Sequence, residues 1–96
     1  MIDKIEIAQK LLIKDLDIEG PGLVFSNIEK LENWLTREVG LLMDHDFQKL
    51  LNILYRIDVN EDQAKMAFAD SNPAKGIAKL IIRRELQKVA TREKYK

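Results

Sequence analysis

Apolar residues recur at three- and four-residue spacing along nearly the whole chain, and only two short stretches cannot continue a helix. Gly20-Pro21-Gly22 combines a fixed φ with two permissive residues, which makes a loop. Ser71-Asn72-Pro73 reads as a cap followed by Pro at the first helical position, where its missing amide costs nothing. No two-residue alternation lasts the length of a strand, and no internal repeat is evident. The chain of 96 residues is therefore predicted to be one domain, 1–96, an all-α compact bundle of four to five helices.

Asp3 with Glu6 three positions on fits a capping box, and Ile5, Ala8, Leu12 and Leu16 follow at helical spacing, so a first helix is expected over Lys4 to Leu16. Ile7 and Leu11 fall outside that stripe. A helix with two apolar strips either lies between two neighbours or meets another copy of itself. Residues 17–26 form the following loop, pinned by Leu23, Val24 and Phe25. Ser26 with Glu29 gives a second capping box and starts a helix at Asn27, whose stripe is Ile28, Leu31, Leu35, Val39 and Leu42, with Trp34 and Leu41 on one shoulder. Asp44 or Asp46 caps the next segment, carried by Phe47, Leu50, Leu51, Leu54 and Ile57, and a link of about three residues predicts an antiparallel hairpin. Asp58 or Asn60 caps a short helix from Glu61 to Ala69, in which Ala64, Ala67 and Phe68 allow close packing. The last helix is expected from Pro73 to about Arg92, with 93–96 as a frayed tail.

The residue inventory excludes much chemistry. With no Cys there is no disulfide, thiol nucleophile or iron–sulfur ligand set, and a single His removes most metal and triad sites. No glycine loop cradles phosphate. No basic segment leads into an apolar stretch at the start, and the longest apolar run is Met66 to Ala69, so neither signal peptide nor membrane span is expected and the cytoplasm is the expected compartment. Asp58-Val59-Asn60-Glu61-Asp62 opens like a calcium loop, but Gln63 stands where the turn needs Gly and Ala69 where a bidentate Glu belongs; helix capping is the better account. Asp44-His45-Asp46 places the His between two carboxylates, yet lacks the second His and the helical spacing of a metal site. No catalytic residue, metal or cofactor is assigned, and no enzyme is expected.

Two carboxylates break the hydrophobic pattern. Glu38 falls inside the stripe of Leu31, Leu35 and Leu42, and Glu85 falls between Ile81, Ile82 and Val89. Carboxylates are rarely buried without a partner, so each finds an Arg, Lys or Tyr, reaches solvent at the bundle edge, meets a second subunit or partner, or is a functional acid with a raised pKa. Arg37, Arg84, Arg92 and Tyr55 are the available partners.

Charge is also divided along the chain. Met1 to Asn72 holds eight basic and fourteen acidic residues, and Pro73 to Lys96 holds eight basic and two acidic, so a net charge of zero conceals a basic last helix. Such a helix suits the protein's own acidic half, which is the favoured reading, and alternatively phosphate contact through Arg83, Lys88 and Arg92.

Leu54-Tyr55-Arg56-Ile57-Asp58-Val59-Asn60-Glu61 followed by Ile77-Ala78-Lys79-Leu80-Ile81-Ile82-Arg83-Arg84-Glu85-Leu86-Gln87-Lys88 resembles a pattern in small uncharacterised bacterial helical proteins. It covers the C-terminal half. The resemblance implies a compact cytoplasmic protein and carries no activity or site residues.

The expected role is a small non-enzymatic protein-interaction or oligomerisation module, a homodimer or the binder of a protein partner, using Ile7, Leu11, Trp34 and Leu41 as its interface. The alternative is a nucleic-acid-binding accessory protein that uses the basic C-terminal helix.

Overall fold

Capping side chains divide the chain into its helices. The computed structural model describes residues 3–94, which form five helices: α1 (Lys4–Leu16), α2 (Ile28–His45), α3 (Phe47–Arg56), α4 (Glu61–Phe68) and α5 (Pro73–Lys94). Asp3 accepts from the amide of Ile5 at 3.0 Å, Asn60 from that of Gln63 at 2.9 Å and Asn72 from that of Lys75 at 3.4 Å. The cap of α2 is Asn27, which accepts from Lys30 at 2.9 Å, one residue later than the expected Ser26. The three-residue link expected after α2 shrinks to Asp46, which ends α2 and caps α3 by accepting from the amide of Lys49 at 3.1 Å. Helix α5 runs two residues past its expected end, and residues 95 and 96 of the expected tail lie outside the described residues.

Helix α5 is the axis of the fold and contacts α1, α2 and α4; α3 packs on α2 and touches α1. The core is Leu12 and Leu16 of α1, Leu31, Trp34, Leu35 and Val39 of α2, Leu50, Ile53 and Leu54 of α3, and Ile77, Ala78, Ile81 and Ile82 of α5. Gly76 brings α5 close to α4, since a Cβ there would lie 3.2 Å from Cβ of Ala67. The loop after α1 is held from within: buried Gln9 donates to the carbonyl of Leu23 at 2.7 Å and accepts from the amide of Phe25 at 2.9 Å. Phe25 then reaches Trp34, ring centroids 6.1 Å apart. No described helix is long and apolar enough to cross a membrane.

Candidate functional sites

The structure breaks the ordinary partition of charge and apolar surface in two places. The first is the junction of α1 and α5, where Glu85 is 0% exposed. Neither of its carboxylate oxygens meets a hydrogen-bond donor, and the nearest cation, Lys88 Nζ, lies 3.7 Å from Oε1. Lys88 is closer to Asp15 of α1, at 3.2 Å from Oδ2. An ionised Glu85 is thus poorly served, whereas a protonated one becomes a donor for which the Asp15 carboxylate is the acceptor. Burial, then the hydrogen bond and negative charge of Asp15, push Glu85 up to about 7 against the opposing pull of Lys88. Desolvation also raises Asp15, but the hydrogen bonds with Glu85 and Lys88 and the charges of Lys88 and Arg92 outweigh it and leave Asp15 below its ordinary value. One proton shared by two carboxyls beside one ammonium makes a neutral cluster.

Cations from α3 close the same end of α1. Arg56 Nη1 donates to the carbonyl of Asp15 at 3.0 Å and Lys49 Nζ to that of the capping Asp17 at 3.2 Å, while the carbonyls of Ile13 and Lys14 accept from the amides of Ile18 and Asp17. The chain leaves through Asp17 at φ 52, a left-handed conformation that Asp tolerates better than most residues.

The second place is the surface of α3 and α4. Phe47, Leu51 and Tyr55 follow one another every four residues on α3 and are all exposed, Tyr55 to 89%. Phe47 meets Phe68 of α4 with ring centroids 5.4 Å apart. Between the helices Leu51, Leu54, Tyr55, Val59, Ala64 and Phe68 line a groove of about 280 Å³, with Glu61 and Lys65 on its rim. The Gln48 and Asn52 side chains bond to each other at 3.1 Å on α3.

These placements revise the residue assignments. Burial of Glu85 follows the sequence pattern, but its partners are Asp15 and Lys88 rather than Arg37, Arg84, Arg92 or Tyr55. Glu38 is only half-buried and has no part in the cluster that Glu85 forms. Lys88 is committed to that cluster and so leaves the expected phosphate face, on which Arg83 and Arg92 remain exposed. Arg84 instead donates from Nε to the carbonyl of Ile57 at 3.0 Å and approaches Asp58 at 3.8 Å, tying α5 to the end of α3. Of the expected interface, Trp34 is 7% exposed and belongs to the core, because Phe25 and the Gln9-anchored loop cover its ring. Ile7 and Leu11 are half-buried on α1, which lies against both α5 and α3, and Leu41 is exposed on α2. No group of three His, Asp or Glu residues able to hold a metal occurs among the described residues.

Sequence reasoning missed Asp15 and Gln9, which act across 70 and 14 to 16 positions of chain respectively. A spacing pattern within one helix carries no signal for either. The exposed stripe on α3 was present in the sequence, since Phe47 and Leu51 were read as part of a helical face, but the buried side of that face is Leu50, Ile53 and Leu54. Comparison with protein-family models, curated proteins and solved structures finds no match to this chain.

Proposed function

We propose that this protein is a non-enzymatic interaction module that self-associates through the apolar surface of α3 and α4. The observation that carries the reading is the row Phe47, Leu51 and Tyr55 beside the groove that ends at Phe68, an apolar surface continuous over two helices. Patches of this kind mark binding faces when polar residues rim them, and this rim holds both signs of charge, Glu61 and Lys65. Glu61 and Lys65 pair with each other at 3.5 Å, and across a two-fold axis each can exchange that partner for the other copy's, which favours a second copy as the occupant. This face replaces the one first expected around Ile7, Leu11, Trp34 and Leu41.

Sedimentation velocity over a range of concentrations tests it. The native chain should sediment as a dimer and Tyr55→Glu as a folded monomer, whereas Leu41→Glu should remain dimeric. A native chain that stays monomeric at high concentration, or a Tyr55→Glu variant that stays dimeric, removes the reading.

A second reading keeps the basic helix. Lys75, Lys79 and Arg83 stand four residues apart on α5, are exposed, and make no ion pair with a described residue, which supports phosphate contact there rather than at Lys88. Anisotropy of labelled DNA and RNA between about 50 and 200 mM salt separates the two readings, since phosphate contact loses affinity steeply over that range. No binding at low salt removes nucleic acid as the partner.

A further inference from the structure

We propose that Asp15, Glu85 and Lys88 form a proton-linked latch that holds the C-terminal half of α1 against α5, closed with one proton on the carboxyl pair and loosened when that proton leaves. Glu85 is fully enclosed, its two oxygens have no donor in the ionised form, and the one cation close to it among the described residues, Lys88, is shared with Asp15 at shorter range. A buried carboxylate in that position bears a desolvation cost that its surroundings do not offset. Protonation removes the charge and supplies the missing donor, and Asp15 on the facing helix accepts it. The proton therefore belongs to the contact between two helices rather than to either one.

The other charges nearby do not replace it. Arg92 of α5 acts on Asp15, and from α3 the cations of Arg56 and Lys49 are spent on the carbonyls of Asp15 and Asp17. The buried side chains of α2 are Leu31, Trp34, Leu35 and Val39, and that of α4 is Ala64, all uncharged.

The direction with pH follows from linkage. Glu85 holds its proton to about 7 in the folded state and to about 4.5 where it is free, so its contribution is whole below the lower value. It then weakens about tenfold in equilibrium constant per pH unit as pH rises towards the upper value, and changes no further above it. Asp15, held below its ordinary value, contributes in the opposite sense, and its share is lost as pH falls through the acid range.

Amide hydrogen exchange, corrected for intrinsic rates and followed from pH 5 to 8, tests the latch in the native chain and in Glu85→Gln, whose amide donates to Asp15 at every pH. The native amides of Leu12 to Leu16 should lose about a hundredfold in protection between pH 5 and 7 and level off above, while Ile77 to Ile82 of α5 lose less. In Glu85→Gln the α1 protection should be flat. An equal slope in that variant overturns the latch, as does a parallel loss in α1 and α5, which would be a cost to the whole fold. Should Glu85→Gln not fold, the carboxyl carbon shift of Glu85 in the native chain decides: titration near neutrality supports the latch, and titration in the ordinary carboxylate range overturns it.

Discussion

The α1–α5 junction and the α3–α4 face are opposite departures from the same rule. At the junction a carboxyl group that water would solvate is enclosed, and at the face Tyr55 and Phe47, which burial would favour, are 89% and 43% exposed. The junction resolves its conflict inside one chain, through Lys88, Asp15 and a proton. At the face Phe47 meets Phe68 within the chain, while Leu51 and Tyr55 stay exposed to water. The enclosed carboxyl belongs to the packing of α1 on α5, and the exposed row is the feature on which the proposed self-association rests.

The comparison is tested most severely at the residue that belongs on neither side of it. Trp34 packs in the core, so Trp34→Ala should cost about 3 kcal/mol in urea unfolding and leave self-association at folded concentrations unchanged. A variant that unfolds normally but fails to associate would return Trp34 to the interface. At the junction, Lys88→Met leaves two carboxyls without their cation and should destabilise by about 2 kcal/mol at pH 7, with a smaller loss at pH 5, where Glu85 is protonated. A loss that does not depend on pH would separate Lys88 from the shared proton.

Gln9 sharpens the comparison from the loop side. Gln9→Ala removes both bonds to the loop at Leu23 and Phe25 and should cost about 1 kcal/mol, with a red shift of Trp34 fluorescence as Phe25 leaves its ring. On the exposed face, Tyr55→Glu should change stability by less than about 0.5 kcal/mol, because the ring buries little in the folded chain. A large loss there would show the face to be structural. At the exit of α1, Asp17→Gly should gain about 0.5 kcal/mol in thermal unfolding by relieving the positive φ of 52.

The fold was largely legible because its signals are local. Asp3, Asn60, Asn72 and Pro73 mark helix starts by their own chemistry, and the limits of α1 follow from one stripe and one cap. The errors were local as well: Asn27 rather than Ser26 caps α2 because the two neighbouring residues carry equivalent acceptors. The sites were half legible. A wheel marks Glu85 as buried, and no wheel can place Asp15 beside it, since the two meet only once α1 lies on α5. The burial of Trp34 is equally invisible to a wheel, because its cover comes from Phe25 in a loop whose path depends on Gln9.

The central claim, that the α3–α4 face is the working surface and the charged junction is internal, is tested most directly by backbone amide NMR of the native chain over a hundredfold range of concentration. Concentration-dependent shifts should gather on residues 47–68 and spare α1 and the buried side of α5. Shifts centred on Ile7 and Leu11, or none at any concentration, would contradict it.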